Sequence, residues 1–242
     1  MSSLTVVCQQ VDSPAVADEH IPIIGGTGAL GFGVALRLAR AGTPVVIGSR
    51  DQGRAAEAAA KVAERVPGAD ARGMENAEAA RQGSIVLLCV PFRNQSENLT
   101  NLKDVLQPGQ ILVDATVPLA AAVSGRATRL LGVPQGSAGM QAAEMVPEGV
   151  EVVSALHTVS AATLGDLDHT LDEDILVAGN SVPAKKRVAE LIGRIEGLRP
   201  VNAGRLEASK LIEGLTPLLI GINSRYKTHA GIRITGLPDE LW

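Results

Sequence analysis

Three glycines have the spacing that phosphate-binding turns use. Gly26, Gly28 and Gly31 form the pattern G-x-G-x-x-G, directly after the apolar run Ile21–Ile24 and just ahead of a helical pattern. Such a turn lets the backbone approach a pyrophosphate and places that group at a helix N-terminus. Because the motif lies between a strand and a helix, it predicts dinucleotide binding more strongly than the bare pattern does. A purely structural glycine turn is the alternative.

Ser49 and Arg50, at the end of the next apolar run, indicate which dinucleotide is bound. A protein that binds NAD usually has a carboxylate here, which accepts a hydrogen bond from the ribose 2′-hydroxyl and would repel a 2′-phosphate. Arg50 can pair with that phosphate or stack on adenine, and Arg54 lies one helical turn further on. Thr27 adds a hydroxyl inside the glycine turn. These residues predict NADP, although Asp51 follows directly and both arginines could instead form a solvated face.

Three further turns follow apolar runs that we expect to be parallel strands. Ligands of open parallel sheets bind beyond the carboxyl ends of the strands, so these turns should surround the nicotinamide ring. The turns are mostly apolar or hydroxylic, and their sequences are Val90-Pro91-Phe92, Thr116-Val117-Pro118 and Leu156-His157-Thr158-Val159. His157 could orient a substrate or a carboxamide; transfer of a proton and a structural role remain alternatives.

Composition excludes several other classes of function. Aromatic residues make up 2% of the 242 residues and the formal net charge is −4, so we expect neither base stacking on nucleic acid nor binding to a polyanion or membrane surface. No apolar stretch reaches the roughly 20 residues that cross a bilayer. No Cys/His spacing indicates a metal site, and no G-x-S-x-G elbow is present. We therefore expect a cytoplasmic enzyme without a metal.

The elements that must position these residues alternate along the chain. Apolar runs separated by helical patterns predict an α/β fold, a Rossmann-type doubly wound parallel sheet. The predicted strands are 21–24, 45–47, 71–74, 85–90, 111–115 and 150–156, and the predicted helices between them are 32–41, 55–66, 77–82, 95–106 and 140–145.

The chain divides into three predicted parts. Residues 1–19 are an N-terminal extension, flexible or added to a sheet edge, and residues 20–159 form the NADP-binding Rossmann domain. Residues 160–242 form a smaller, mainly helical C-terminal domain that closes one side of the site. This part contains one candidate strand at 174–178 and helices at 184–196 and 206–229, with Pro217 ending or kinking the second helix.

Five segments of the sequence resemble one enzyme family, the NADPH-dependent coenzyme F420 reductases, also called 8-hydroxy-5-deazaflavin:NADPH oxidoreductases. The resemblance extends from about residue 21 to the C-terminus, and its most specific block is Ser-Ala-Leu-His-Thr. The segments are Gly25-Gly-Thr-Gly28, Ile47-Gly-Ser-Arg50, Ser154-Ala-Leu-His-Thr158, Gly197-Leu-Arg-Pro-Val-Asn-Ala-Gly204 and Glu213-Gly-Leu-Thr-Pro217.

The resemblance implies roles for particular positions of this sequence. It implies 2′-phosphate contacts from Thr27, Ser49, Arg50 and Arg54, and a pyrophosphate turn at Gly28, Ala29 and Leu30. It implies nicotinamide contacts from Phe92, Val117 and Ala161, a deazaflavin pocket with His157 and Val159, and closure of that pocket by residues 215–217. It also implies a homodimer, for which the apolar segment 206–229 is the candidate interface.

The expected activity is hydride transfer between NADP(H) and the deazaflavin coenzyme F420, both of them small-molecule co-substrates. Such a transfer depends mainly on positioning and desolvation, which agrees with the shortage of acid–base groups at the predicted strand ends. Two alternatives remain open from the residues alone. One is an NADPH-dependent reductase of another acceptor, such as a flavin, ferric iron through a flavin, or an imine. The other is a non-catalytic module that senses NADP(H).

Overall fold

The computed structural model describes residues 20–242, so the predicted extension 1–19 lies outside the described residues. Strands and helices alternate through the first part, as predicted. The strands are β1 (Ile21–Ile24), β2 (Val45–Ser49), β3 (Ala71–Glu75), β4 (Ile85–Leu88), β5 (Ile111–Asp114) and β6 (Glu151–Ser154), and the helices are α1 (Ala29–Arg40), α2 (Gln52–Arg65), α3 (Asn76–Ala80), α4 (Gln95–Leu102) and α5 (Ala138–Met145).

The residues after β6 add α6 (Ala161–Gly165), β7 (Glu173–Gly179), α7 (Val182–Ile192), β8 (Leu198–Gly204) and α8 (Ser209–Tyr226). All eight strands form one sheet in the order β3-β2-β1-β4-β5-β6-β7-β8. Neighbouring strands are parallel except β6 and β7, which are antiparallel. The order of the first six strands confirms the predicted doubly wound Rossmann-type sheet.

Both faces of the sheet are covered, which explains why its central strands are apolar at successive positions. In β2, Val45 and Ile47 pack into a core with α1, α2 and α7, whereas Val46 packs into the core on the opposite face with α3, α4 and α5. This alternation is the two-residue period of a strand. With helices on both faces, the carboxyl ends of β1, β4, β5 and β6 form one edge that stays open to a ligand.

The C-terminal part is helical as predicted, and it also contributes β7 and β8 to the sheet. The sequence analysis found β7 and missed β8. The sequence of β8 is Leu-Arg-Pro-Val-Asn-Ala-Gly, and only Leu198 and Val201 are buried. It is an edge strand, where proline and polar residues are tolerated and no continuous apolar run is required. Strands from both sides of residue 160 belong to the same sheet. The division of the chain into two domains at this residue therefore remains a prediction.

Several helix limits differ from the predicted ones. Helix α1 begins at Ala29 rather than Phe32, because Gly28 takes the N-cap position, and α4 ends at Leu102 rather than Leu106. Helix α8 begins at Ser209 and continues through Pro217, which neither ends it nor divides it. Within residues 20–242, no helix is both long and apolar enough to cross a membrane.

Candidate functional site

The glycine turn joins β1 to α1 and leaves the N-terminus of α1 uncapped by any side chain. Gly28 is the N-cap residue, and the first turn of α1 carries no acidic residue. A β-carbon on Gly31 would lie 2.7 Å from the carbonyl oxygen of Gly25, so only glycine allows the helix to begin this close to the strand. The first backbone N–H groups of α1 and its dipole are thus available to an anion.

The turn also requires a glycine at Gly25, which the predicted G-x-G-x-x-G motif did not include. Its φ of +78° is unfavourable for other residues, and a β-carbon there would lie 2.7 Å from the carbonyl oxygen of Cys89. Gly26, the first glycine of the predicted motif, packs against β1 and β2: a β-carbon on it would lie 2.9 Å from the oxygen of Ile23. The signal for Gly25 was the doubled glycine in Gly25-Gly26.

Ser49, Arg50 and Arg54 surround the mouth of the turn, together with Thr27. All four side chains line one cleft, to which Gly25 and Gly28 also contribute. Ser49 is buried at the end of β2, whereas the two arginines are exposed. Within residues 20–242, no side-chain nitrogen of Arg50 or Arg54 donates to a protein acceptor. Two guanidinium groups are therefore free to bind an anionic group of a ligand.

Asp51 also lines this cleft, but one of its carboxylate oxygens is used to cap a helix. Its carboxylate accepts a hydrogen bond of 2.8 Å from the backbone N–H of Arg54 and caps α2. A capping aspartate is worth about 1 kcal/mol to a helix and is stabilised by the positive end of the dipole. Its negative charge is therefore offset in part by the N-terminus of α2, beside the two arginines that line the same cleft.

The cleft also contains three asparagines that the sequence analysis missed. Asn76 begins α3 and donates 3.0 Å to the side-chain oxygen of Asn98, which in turn donates to the carbonyl of Asn94. All three line the cleft beside Pro91. The sequence could have indicated Asn76, because this residue directly follows β3, and β3 lies next to β2 in the sheet.

The three predicted turns all follow strands at the ligand edge. Phe92 is half-buried in a 3-10 turn after β4, Val117 is half-buried and Pro118 buried after β5, and Val159 is buried and Ala161 half-buried near the start of α6. Helix α6 packs closely on α1, where a β-carbon on Gly33 would lie 2.7 Å from that of Leu164. Helix α1 thus contacts both the phosphate turn and the segment after β6.

His157 follows β6 and is only 5% exposed. Burial lowers the pKa of its imidazole to about 4, opposed only in part by the nearby backbone of Thr116, so the ring is neutral near pH 7. Within the described chain neither ring nitrogen has a hydrogen-bond partner. Leu156, just before it, has a φ of +69°, which is rare for a leucine.

Residues 20–242 contain no group of three or more His, Cys, Asp or Glu side chains placed to hold a metal ion. Cys89, which lines the cleft, is a buried free cysteine. Burial, together with the charge of Asp114, raises the pKa of its thiol to about 12. This thiol is therefore protonated and contributes packing rather than reactivity.

The doubly wound sheet and the cleft at its ligand edge define the class of the protein, a Rossmann-type dinucleotide-binding protein. Residues 20–118 match the sequence profile of the family described as "NADP oxidoreductase coenzyme F420-dependent". The F420-dependent NADP reductase of Methanocaldococcus jannaschii is 46% identical over 222 residues, which cover 90% of this chain and 98% of the relative. The chain belongs to the F420-dependent NADP reductase family.

Two further comparisons agree with this assignment. The F420-dependent NADP reductase of Methanothermobacter thermautotrophicus is 41% identical over 225 residues, which cover 91% of this chain and 96% of the relative. Among solved structures, a putative F420-dependent NADP reductase from Arthrobacter sp. FB24 superposes with a TM-score of 0.68 at 26% identity. That match covers 86% of this chain and 95% of the other.

Proposed function

We propose that this protein transfers a hydride between NADP(H) and the deazaflavin coenzyme F420, reversibly in principle. The observation that carries the proposal is the pair of free guanidinium groups, Arg50 and Arg54, beside an uncapped helix N-terminus in a chain of this family. Bound NADPH supplies the hydride from its nicotinamide C4, and C5 of the deazaflavin accepts it. The protein's own task is to bind both rings, align them and exclude water.

The chain's residues divide this task between them. The N-terminus of α1 at Gly28–Gly31 holds the pyrophosphate, and Thr27, Ser49, Arg50 and Arg54 recognise the 2′-phosphate. Phe92, Val117, Pro118 and Ala161 form apolar walls for the nicotinamide. His157 and Val159 line the deazaflavin pocket, and the segment 215–217 of α8 closes it. Because burial lowers the pKa of His157 to about 4, its ring lines the pocket as a neutral group near pH 7.

The activity is tested with purified protein, NADPH and oxidised coenzyme F420. We expect loss of the coenzyme's visible absorbance and oxidation of one NADPH for each coenzyme molecule reduced, with NADH a much poorer donor. Parallel assays with FMN and a cyclic imine serve as acceptor controls. Turnover of either control at a higher rate than coenzyme F420 would assign another acceptor, and binding of NADPH without any turnover would favour a sensing module.

We also propose that the protein is a homodimer assembled through α8. This helix exposes large apolar side chains on one face: Leu211 is 76% exposed, Leu218 57% and Tyr226 71%. Pro217, Leu218 and Ile222 line a groove with residues 128–130, and an exposed apolar surface of this kind is typical of an interface. In light scattering we expect twice the chain mass of 25.0 kDa. Leu218→Glu should shift this to one chain mass, and a monomeric wild type would contradict the proposal.

A further inference from the structure

A chain of buried polar contacts connects the three turns at the ligand edge. It consists of the side chains of Gln95, Asp114, Thr116, Glu213 and Thr216, which we call the polar bridge. Gln95 begins α4, Asp114 ends β5, Thr116 lies in the turn after β5, and the last two come from α8. The sequence analysis placed residue 116 in a turn of the site and residue 216 in the segment that closes the pocket, but it did not assign the other three side chains to the site. Its steps are hydrogen bonds between named atoms, except that the backbone of Ala138 lies between Gln95 and Glu213 and the backbone of α8 joins Glu213 to Thr216.

Gln95 joins the turn after β4 to the turn after β5. It begins α4, directly after the 3-10 turn that contains Phe92, and it is fully buried. Its side-chain Nε2 lies 2.8 Å from the hydroxyl oxygen of Thr116, 3.1 Å from Oδ1 of Asp114 and 2.9 Å from the carbonyl oxygen of Ala138. The Thr116 hydroxyl donates 3.1 Å to the other oxygen of Asp114, which fixes its orientation.

Glu213 connects this cluster to α8 through the N-terminus of α5. It is 2% exposed, and its two carboxylate oxygens accept the backbone N–H groups of Ala138 at 3.0 Å and Gly139 at 3.1 Å. Ala138 is also the residue whose carbonyl accepts from Gln95. The first turn of α5 is therefore held from both sides, by Glu213 through its N–H groups and by Gln95 through a carbonyl.

Thr216 extends the bridge to the turn after β6. It lies one helical turn beyond Glu213 on α8, and its hydroxyl donates 2.8 Å to the carbonyl oxygen of His157. That carbonyl follows the left-handed Leu156, a conformation that is rare for a leucine and persists only where the surrounding structure holds it. Thr216 provides such a hold from outside the strand.

We propose that Glu213 and Thr216 are positioning residues for hydride transfer, and that the polar bridge sets the spacing of the three turns that hold the two reacting rings. The inference rests on the proposed function for its kinetic consequence. The physical reason is the sensitivity of hydride transfer to distance: a misplacement of about 1 Å can cost on the order of a hundredfold in rate. Neither residue needs to contact a reacting atom for this effect.

The variants Glu213→Gln, Thr216→Val and Thr216→Ser test the kinetic consequence. Glu207→Gln is the matched control, because Glu207 is exposed just ahead of α8. Glu213→Gln retains the shape but can no longer accept both N–H groups, and Thr216→Val removes the hydroxyl at constant size. In single-turnover absorbance measurements at saturating NADPH and coenzyme F420, we expect both to slow hydride transfer at least about tenfold. The Kd for NADPH should stay within about twofold, because the phosphate contacts are untouched.

Thr216→Ser separates positioning from simple packing. It loses a methyl group but retains the hydroxyl, so it should recover most of the rate that Thr216→Val loses. Two results would overturn the proposal: rates within twofold of wild type in Glu213→Gln and Thr216→Val, or a Thr216→Ser variant as slow as Thr216→Val. Glu207→Gln should keep the wild-type rate and NADPH affinity.

Amide hydrogen exchange tests the bridge without depending on turnover. In Glu213→Gln we expect faster exchange at all three turns together, at residues 92–95, 115–118 and 156–158, after correction for any change in global stability. Faster exchange confined to α5 would refute the bridge even if the enzyme is active. A wild type that oxidises no NADPH with coenzyme F420 would instead refute the proposed function, and the exchange data would still decide the bridge.

Discussion

At the scale of single residues, the nucleotide cleft depends on which charged side chains already have partners. The carboxylate of Asp51 caps the N-terminus of α2 by accepting the backbone N–H of Arg54. The guanidinium groups of Arg50 and Arg54 have no protein acceptor among residues 20–242. The cleft therefore offers two guanidinium groups without a protein acceptor, beside one carboxylate that caps α2. This difference in partners, rather than the difference in residue types, makes the site suitable for a 2′-phosphate.

Replacing Arg50 tests this reading of the cleft. Arg50→Ala should weaken NADPH binding by roughly 1.5–3 kcal/mol, the scale of a charge-assisted hydrogen bond, or about 10- to 150-fold in Kd. Binding of NADH should hardly change, because it lacks the 2′-phosphate. Fluorescence titration with both nucleotides measures the two effects. Arg81→Ala is the control, because Arg81 follows α3 and lines a separate groove with residues 82–84. Equal losses for NADPH and NADH would show that Arg50 does not recognise the phosphate.

At the scale of elements, α1 is the structural link between the two halves of the site. Its N-terminus faces the phosphate turn, and further along it Arg37 donates to four carbonyl oxygens of the segment after β6. Those of Leu164, Thr163 and His169 accept at 3.1, 2.8 and 2.8 Å, and that of Asp166 also accepts. One buried guanidinium therefore holds the segment that follows Val159 and Ala161 against the helix that begins at the glycine turn.

The close packing of α1 on α6 is tested at Gly33. A β-carbon there would overlap Leu164 at 2.7 Å and approach the backbone nitrogen of Gly165 at 3.1 Å, so Gly33→Ala should destabilise the fold by about 1–3 kcal/mol. Gly165→Ala is the control on the facing helix, where a β-carbon meets nothing within 4 Å. Urea unfolding measures both, and a Gly33→Ala variant as stable as wild type would show that α6 can move away without cost.

At the scale of the whole molecule, three buried carboxyl groups among residues 20–242 lower the free energy of unfolding as the pH rises. Burial raises the pKa values of Asp114, Glu173 and Glu213 to about 7 each, and the charge of Asp114 contributes to the shift of Glu213. Between the unfolded and folded pKa values, the folded protein holds protons that the unfolded chain has released. Stability from these groups is therefore present below about pH 4.5 and is lost as the pH rises through about 7.

Glu213→Gln isolates one of these contributions. The difference in unfolding free energy between wild type and this variant should fall by on the order of 2–3 kcal/mol between about pH 4.5 and about pH 8. His157, whose pKa burial lowers to about 4, acts in the opposite direction but cancels in the difference. Urea unfolding at several pH values measures the change. A difference that is the same at every pH would contradict a raised pKa for Glu213.

The sequence by itself determined the elements whose signals are local. The apolar runs of β1, β2, β4 and β5 and the glycine turn predicted the Rossmann-type sheet and its ligand edge, because buried strands and phosphate turns need particular residues at short spacing. Ser49 and Arg50 were found for the same reason. The limits of α1 and the edge strand β8 were not, since caps and sheet edges tolerate many sequences.

Only the tertiary structure decided which groups have partners. It directed Asp51 to the cap of α2, placed the positive φ at Gly25, left the imidazole of His157 neutral, and brought Glu213 and Thr216 from α8 to turns that lie far away along the chain. Burial and hydrogen bonding depend on every element that packs around a group. Residue type and spacing do not show which distant residues pack around a group, so the polar bridge could be recognised only in the three-dimensional structure.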